Sequence, residues 1–370
     1  MNINRKKILY GICGIGNGHM QRQLPIIHHF SKTCQIAIFA YGSSFETCKK
    51  LFQDTDNVNV FEVAVPFYVG NKTGIDFEAT KKLERNNIDF DSINSKAITE
   101  MNAWLGTPDL VVSDYEPISA QVAYENDIKL ITIDQQSKYL VGDFPETIND
   151  CTYADEVARL KLFFRNVHER IACSFFNVKV KDIIDMQVSI VPAIIKDEIV
   201  NLKKQLVEGE KNILVYLTSN QDIQQTPESL VDVLSQFHET VFHVFAPQMF
   251  HGSLSDNVHW YAHGSDQFMD VLEKVNGIIT TAGHTLLAEA MYLEIPVYAI
   301  PLPIYEQQMN AHVIATNNFG IAHEVVDSTT LKIFLDNLEH YSKNITSDTT
   351  VLCKGNGLKT VINKLQNMLG

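Results

Sequence analysis

The sequence predicts an α/β protein made of two similar halves, each a doubly wound parallel sheet covered by helices on both faces. Short apolar runs alternate with segments of helical spacing, as expected for parallel strands that are buried on both sides. The alternation starts again near residue 213. The length of 370 residues also exceeds what one ordinary core accommodates, which favours two domains.

The first half contains the apolar runs that we interpret as its strands, at residues 8–13, 35–40, 110–113 and 130–133. These runs are too short for helices, and segments with helical spacing separate them. The second half repeats the pattern with runs at residues 213–217, 241–245, 258–262, 277–280 and 296–300. Within it, four apolar residues at i, i+3, i+4 and i+7 predict an amphipathic helix: Leu230, Val233, Leu234 and Phe237.

We place an N-terminal domain at residues 1–190, a linker at 191–211 and a C-terminal domain at 212–370. The boundary follows from Val191-Pro192, which precedes a charged stretch of helical character before the strand pattern restarts. The last segment, residues 357–369, also has helical spacing. It can pack on its own domain or back on the N-terminal one.

The bulk properties exclude several classes of protein. A net charge of -14 argues against a general nucleic-acid-binding protein, which needs clustered lysine and arginine. The six cysteines are scattered, without the spacing of a zinc site or a disulfide framework. The polar N-terminus leads into a short apolar run, so we expect no signal peptide and a cytoplasmic protein.

A glycine-rich loop follows the first strand, with Gly14, Gly16 and Gly18 at alternate positions. Glycines let the backbone turn sharply and approach a ligand, and a helix that begins after them offers free N–H groups to an anion. The spacing does not match the dinucleotide fingerprint, so we do not infer NAD binding. A turn that merely packs a helix on a strand is an equally good interpretation of the loop alone.

His19 and Asp114 are candidate catalytic residues because both follow strands of the first half. Side chains at the carboxyl ends of parallel strands point into the ligand crevice of an open α/β sheet. A neutral imidazole can take a proton from an attacking hydroxyl, and a carboxylate can orient it. The alternatives are a structural histidine and an aspartate that caps the next helix.

A second candidate site begins where the strand at 277–280 ends, at Thr281, Gly283, His284 and Thr285. The helix that starts there has free N–H groups and a positive dipole end, which suit a diphosphate. Glu289 follows on the same helix among apolar neighbours, where its carboxylate can accept both hydroxyls of a ribose. The alternative for Glu289 is a solvated surface acid.

Glu306, Gln307 and Asn310 form a polar segment after the strand at 296–300 and two prolines, which we interpret as a loop. Carboxylate and amide groups together can bind several hydroxyls of a sugar. The alternative is a loop whose Asn310 caps a helix.

With these residues in view, the chain resembles the GT-B glycosyltransferases, which have two Rossmann-like domains facing across a cleft. It is most similar to the branch of the UDP-glucuronosyltransferases and the N-acetylglucosaminyl transferase of peptidoglycan assembly, and to bacterial teichoic-acid-type glycosyltransferases. The similarity spans both domains and is strongest at residues 277–321.

The resemblance implies roles for individual residues. Gly283 and Thr285 correspond to the diphosphate site and Glu289 to the ribose site of the family. Glu306 and Gln307 stand at the family's acidic-plus-Gln pair that holds the donor sugar, and Asn310 at its Asn-Ala. His19 corresponds to the family's base and Asp114 to its acidic partner. Thr218, Ser219 and Asn220 fall where a loop approaches the phosphates.

The resemblance therefore implies an inverting, metal-independent transfer of a sugar from a nucleotide diphosphate sugar, in our expectation a UDP-sugar, to a hydroxyl acceptor. It points to an envelope or lipid-linked glycan as acceptor. The chain departs from the family at Thr281, where many relatives have a histidine, at Glu306, where aspartate is commoner, and at Thr218–Asn220, which lack the usual glycine. These departures leave the sugar and nucleotide open.

Two other functions remain open from the sequence: a nucleotide-sugar 2-epimerase on the same scaffold, and a non-catalytic partner that only binds a nucleotide sugar. A peripheral contact with a membrane surface also stays open. Residues 159–165 mix basic and large apolar side chains, which suits an anionic membrane surface. We favour an ordinary element with a solvated basic side for that segment.

Overall fold

The computed structural model describes residues 5–16, 18–182, 186–218 and 225–370. Over these residues the chain forms two parallel sheets with helices on both faces, and two short antiparallel hairpins. The predicted α/β architecture of two doubly wound halves is therefore confirmed.

The N-terminal sheet has seven parallel strands within the described residues, in the order β11-β10-β7-β6-β1-β2-β3. Their bounds are β1 Lys7–Ile12, β2 Gln35–Ala40, β3 Val58–Glu62, β6 Leu110–Asp114, β7 Leu130–Asp134, β10 Glu169–Ser174 and β11 Ser189–Pro192. The two hairpins also belong to this half of the chain, namely β4 Val69–Asn71 with β5 Gly74–Asp76, and β8 Thr147–Ile148 with β9 Cys151–Thr152.

The C-terminal sheet has six parallel strands in the part of the chain that the structure describes, in the order β14-β13-β12-β15-β16-β17. Their bounds are β12 Lys211–Tyr216, β13 Thr240–Ala246, β14 Val258–Ala262, β15 Gly277–Thr280, β16 Val297–Ala299 and β17 Gly320–Ala322. In both sheets the chain order reverses beside the first strand, which is where open α/β sheets bind their ligands.

Helices connect the strands on both faces. In the N-terminal half they are α1 Gly18–Ser31, α2 Gly42–Phe52, α3 Phe77–Lys82, α4 Phe90–Leu105, α5 Pro117–Glu125, α6 Lys138–Val141 and α7 Ala154–Phe163. The remainder are α8 Asp197–Val200, α9 Pro227–Leu234, α10 Gln267–Leu272, α11 His284–Tyr292, α12 Tyr305–Thr316, α13 Ser328–Asp336, α14 Leu338–Ser347 and α15 Leu358–Leu369.

The strands are buried on both sides because helices cover both. Along β1, Ile8, Tyr10 and Ile12 pack in one core cluster while Leu9 packs in the opposite one. The last helix, α15, contributes Val361 to the first of these clusters. The C-terminal helix therefore packs on the N-terminal domain, after the chain has crossed back from the second one.

A third core cluster joins the two domains. Tyr139 and Phe176 of the N-terminal domain pack in it with Leu287 and Met309 of the C-terminal domain. The hydroxyl of Tyr305, at the start of α12, donates a hydrogen bond to the carbonyl of Pro145 at 2.5 Å. This interdomain core fixes the two sheets with respect to each other on one side of the cleft.

The structure refines the predicted boundaries. Val191 and Pro192, assigned to the linker, are the end of β11 and pair with β10 in the N-terminal sheet. The charged linker contains one short helix, α8, in its described part. The apolar pattern also missed β3, β10, β11 and β17, because these strands carry polar residues or glycine and three of them lie at sheet edges. It missed the short hairpin strands β4, β5, β8 and β9 as well.

Candidate active site

At Gly14 and Gly18 of the glycine loop, the close approach of other residues leaves no room for a side chain, whereas Gly16 has a left-handed backbone. A Cβ on Gly14 would lie 1.9 Å from the carbonyl oxygen of Tyr41, and Gly16 has a φ of +73°. A Cβ on Gly18, the first residue of α1, would lie 2.9 Å from Oγ1 of Thr285, in the other domain. The loop therefore does more than pack α1 on β1, because its last glycine contacts the C-terminal domain.

His19 and Asp114 lie together, as the sequence predicts. Ile12 of β1 is in register with Asp114, the last residue of β6, so the ends of these two strands are adjacent. The Nδ1 atom of His19 is 2.8 Å from Oδ1 of Asp114. The side chain of His19 is 14% exposed and that of Asp114 is fully buried, which leaves the imidazole partly accessible from the cleft.

Asp114 does not cap the helix that follows it. Glu116 caps α5 instead, since its carboxylate accepts hydrogen bonds from the backbone N–H groups of Ile118 and Ser119, at 2.6 and 2.8 Å. Tyr115, between the two acids, has a φ of +57°, a left-handed conformation that is costly for a bulky residue. Because of this turn, the carboxylates of Asp114 and Glu116 point to different partners, and that of Asp114 faces His19.

Two further residues, which the sequence pattern did not indicate, complete this cluster. Arg22 Nε donates to Oδ2 of Asp114 at 2.8 Å, and Gln23 Nε2 donates to the same oxygen at 2.7 Å. Gln23 is in turn fixed by Tyr10, whose hydroxyl donates to its Oε1 at 2.5 Å. Positions i+3 and i+4 after His19 on a helix share its face, which is the signal that could have identified Arg22 and Gln23.

The cluster separates the pKa values of its members. Burial alone would raise the pKa of Asp114, but Arg22 and His19 outweigh it and hold that pKa at about 2. Burial lowers the pKa of His19, but the neighbouring Cys13 and Asp114 raise it more, to about 10. Asp114 is therefore a permanent anion, and His19 gives up its proton above neutral pH.

The start of α11 faces this cluster from the other domain. Thr285 Oγ1 donates a hydrogen bond to the carbonyl of Gly18 at 3.3 Å, so the first turns of α1 and α11 are in contact. Gly283 is the N-cap of α11 and has no side chain to satisfy the N–H groups of the first turn. The two helices together direct positive dipole ends at one place in the cleft.

The side chain of His284 lies between the domains. Its ring packs on Phe175 with a centroid separation of 5.6 Å, and burial lowers its pKa well below the ordinary value. Its Nε2 has no hydrogen-bond partner within the described residues. A neutral, interdomain imidazole contributes to the contact of the domains, and what His284 offers at the start of α11 is its backbone N–H.

Thr218 and Thr281 are brought together by the pairing of β12 with β15, in which Tyr216 is in register with Thr280. Their Oγ1 atoms are 2.7 Å apart. Ser219 and Asn220, the other members of the predicted loop, lie outside the described residues. The hydroxyls of Thr218 and Thr281 therefore border the approach to the start of α11 from the side of β12.

Glu289 is not a solvated surface acid. It is 7% exposed, and its Oε1 lies 3.8 Å from Nζ of Lys196 in the linker. Burial raises the pKa of its carboxyl, while Lys196 opposes the increase. At 3.8 Å, Lys196 is too far away to donate a hydrogen bond to Glu289. The buried carboxylate is therefore suited to accept hydrogen bonds from the hydroxyls of a ligand.

Glu306, Gln307 and Asn310 lie in a helix, and the predicted loop is wrong. All three belong to the first turns of α12, whose N-cap is Ile304. Gln307 Oε1 accepts from the backbone N–H of Leu302 at 2.9 Å. Asn310, fully buried, donates to the carbonyl of Ala282 at 2.9 Å and so fixes the turn before α11 instead of capping a helix. Glu306 is half-buried.

Residues 159–165 form the end of α7 and its continuation. Leu160, Phe163 and Phe164 are buried in the N-terminal core, and Arg159 pairs with Glu156 at 2.6 Å. The segment is therefore an ordinary helical element, as expected, but the side chain of Arg159 is ion-paired and only 15% exposed instead of solvated. Among the described residues, no helix combines the length and hydrophobicity needed to cross a membrane. Over the same residues no group of three histidine, cysteine or carboxylate side chains is placed to hold a metal ion.

A family model described as glycosyl transferase family 1 matches residues 6–339 of this chain, which include both sheets and the His19 and α11 clusters. The chain belongs to glycosyl transferase family 1. An uncharacterized glycosyltransferase of Methanopyrus kandleri is 38% identical over 58 residues, which cover 15% of this chain and 17% of that protein. This chain thus aligns with less than a fifth of the length of that curated relative.

Solved structures share the fold over nearly the whole chain. UGT89C1 of Arabidopsis thaliana superimposes with a TM-score of 0.66 and 12% identity, covering 99% of this chain and 100% of that one. The calicheamicin glycosyltransferase CalG4 gives 0.62 and 15%, covering 99% and 98%. The glycotransferase of kitacinnamycin gives 0.65 and 11%, covering 99% and 100%. The GT-B architecture and the glycosyltransferase family expected from the sequence are confirmed.

Proposed function

We propose that this protein transfers a sugar from a nucleotide diphosphate sugar to a hydroxyl acceptor, with inversion and without a metal. The observation that carries the proposal is the contact between the two clusters. The first turn of α1, which bears His19, touches the first turn of α11 through Thr285 and Gly18. This contact supports a proposal in which a base and a helix start that binds the diphosphate act at the same point of the cleft.

In this proposal His19 is the general base. Its Nδ1 faces Asp114, so the opposite nitrogen, Nε2, is free to take the proton of the acceptor hydroxyl. The acceptor oxygen then attacks the anomeric carbon from the face opposite to the leaving nucleotide, which inverts that carbon. Asp114 stabilises the imidazolium that forms.

The departing nucleoside diphosphate develops negative charge, which the start of α11 would stabilise. Free N–H groups and the dipole of that helix act there as preorganised electrostatic groups. Thr218 and Thr281 border the same place with hydroxyls. Glu289 would hold the ribose, and Glu306 the donor sugar, from the two helices that flank the cleft.

A UDP-sugar is our proposed donor. Among the solved structures with this fold, UGT89C1 has been crystallised with UDP-L-rhamnose and LpCGTa with UDP. A role in an envelope or lipid-linked glycan, as in the peptidoglycan and teichoic-acid branches, is the acceptor proposal that the sequence resemblance supports. The cytoplasmic location and a peripheral contact at the inner face of the membrane belong to the same proposal.

The donor is tested by thermal shift and calorimetry with nucleoside diphosphates and nucleotide sugars. A ligand that binds only the folded protein raises its melting temperature by mass action. We expect stabilisation by UDP or another nucleoside diphosphate in the presence of EDTA, and its loss in Glu289→Ala. Glu228→Ala, which removes an exposed acid of the same domain, is the matched control and should bind as the wild type does.

The chemistry is tested by products. Release of nucleoside diphosphate together with a glycosylated acceptor supports the transferase, while an epimer without nucleotide release indicates a 2-epimerase. His19→Ala should abolish transfer and leave donor affinity nearly intact. The control is His28→Ala, which removes an exposed histidine of the same helix and should change neither transfer nor donor affinity. Residual transfer by His19→Ala with an unchanged pH profile would contradict the assignment of the base.

A further inference from the structure

A buried arginine beside the candidate base has no role in the transfer described so far. Arg22 follows His19 by three residues on α1, and its side chain is 5% exposed. Its guanidinium donates twice to Asp114, from Nε to Oδ2 at 2.8 Å and from Nη2 to Oδ1 at 3.0 Å. A guanidinium held at two points fixes the orientation of a carboxylate as well as its position.

We propose that Arg22 is a positioning residue of the transfer reaction, which holds the Asp114 carboxylate in place for His19 and neutralises part of its charge. This inference rests on the proposed function, because Arg22 acts through His19, the proposed base. Its Nε and Nη2 atoms are occupied by Asp114 in the buried part of the cluster, which is why we assign Arg22 a positioning role.

His19 and Arg22 share one carboxylate. Oδ1 of Asp114 faces both His19 Nδ1, at 2.8 Å, and Arg22 Nη2, at 3.0 Å. An unshared carboxylate would stabilise the imidazolium more strongly and hold its proton to higher pH. Burial lowers the pKa of His19 and Arg22 lowers it further, against the increase that Cys13 and Asp114 cause. Arg22 thus limits how basic the imidazole becomes.

The position of Arg22 also bears on which nitrogen of His19 carries the proton. Arg22 Nη2 lies 2.8 Å from Nδ1 of His19. Arginine can only donate, so Nδ1 accepts from Arg22 in one tautomer and donates to Asp114 in the other. Only the second tautomer leaves a lone pair on Nε2 for the acceptor hydroxyl. Arg22 and Asp114 therefore set the balance between an inactive and an active imidazole.

Other titratable groups on the neighbouring elements surround this cluster and can also influence the pKa of His19. They are Cys13 after β1, Tyr115 after β6, Asp134 at the end of β7, Lys138 on α6, Cys173 on β10 and His284 on α11. Arg22 is the cation among the described groups that contacts both His19 and Asp114 directly. Removal of its charge should therefore change the pKa of His19 more than removal of a remote cation.

The experiment measures the pKa of His19 by NMR on [15N]histidine-labelled protein, together with the pH profile of kcat/KM. Arg22→Gln should raise the pKa of His19 and the midpoint of the acidic limb by about one pH unit or more. Arg22→Lys keeps a charge near Asp114 but cannot hold the carboxylate at two points, so it should raise both values by less than Arg22→Gln does. The matched control is Arg170→Gln, because Arg170 is equally buried at 4% but donates to the carbonyl of Phe164.

Each outcome is decisive for Arg22. Folded Arg22→Gln with the wild-type titration of His19 overturns the inference, as does an equal change in Arg170→Gln. If Arg22→Gln does not fold, Arg22→Lys decides the matter, because an unchanged titration of His19 in that variant would overturn the inference. The NMR titration needs no turnover. Failure of the wild type to transfer any sugar would contradict the proposed function. The effect of Arg22 on the pKa of His19 could still be measured in that case.

Discussion

Replacing Asp114 by asparagine removes the charge that holds His19 and Arg22 together. The carboxylate is fully buried and accepts hydrogen bonds from His19, from Arg22 and from Gln23. Asparagine has nearly the same shape, so the change creates neither a cavity nor a steric clash. Its effect therefore reports electrostatics, and we expect it on both stability and catalysis.

The magnitude follows from the structure. The difference between the pKa of about 2 in the folded protein and the ordinary 3.8 corresponds to about 2 kcal/mol of stabilisation. This stabilisation is complete above pH 3.8 and is lost as the pH falls towards 2, because the folded state binds the proton less readily. Asp114→Asn also leaves the guanidinium of Arg22 buried without its partner, and breaking such a pair costs about 3–5 kcal/mol in all.

The assay is urea unfolding at pH 7, followed by tryptophan fluorescence. The chain has two tryptophans, one in each domain, so Trp104 reports the N-terminal domain alone in a Trp260→Phe background. Asp109→Asn is the matched control, because Asp109 precedes the same strand and is exposed. Loss of less than about 1 kcal/mol in Asp114→Asn, or an equal loss in the control, would refute the reasoning.

The remaining predictions concern catalysis. Transfer by the wild type should increase with pH, and the midpoint of its acidic limb should lie above neutrality. Burial lowers the pKa of His19, but Cys13 and Asp114 raise it more, to about 10. A midpoint below 6.5 would contradict this prediction. Asp114→Asn should move that limb to lower pH and reduce kcat by about 10²–10⁴. Gly18→Ala should raise the KM for the donor, since the added Cβ would lie 2.9 Å from Thr285 Oγ1. The increase in KM should be smaller in a Thr285→Ala background. An equal increase in both backgrounds would exclude the steric explanation.

The pattern of apolar runs predicts the two-sheet architecture because a parallel strand covered on both faces must be apolar nearly throughout. Interior strands such as β6 and β7 are buried along their whole length and were therefore found. Strand β3 alternates with polar residues at the edge of its sheet, and β10 begins with Glu169 and a buried Arg170, so neither has this signature. Their place depends on neighbours that are distant in sequence.

For the candidate site, the sequence could place His19 beside Asp114, because both follow strands and parallel strands end at one edge of a sheet. It could not decide that Glu116 would cap α5 and leave Asp114 free, since both acids are close enough to do so. Nor could it show that α12 begins at Tyr305, because the preceding prolines favour a loop and the tertiary contact of Asn310 with Ala282 favours the helix.

By itself, then, the sequence determined the fold class, the strand ends that carry the functional side chains and the polar residues gathered there. These are properties of periodicity and spacing, which act along the chain. The tertiary structure alone decided that Arg22 and Gln23 join Asp114, that His284 lies between the domains, and that α15 returns to the first domain. Such contacts join residues far apart along the chain, and their free energy depends on which groups are buried together, which no local pattern specifies.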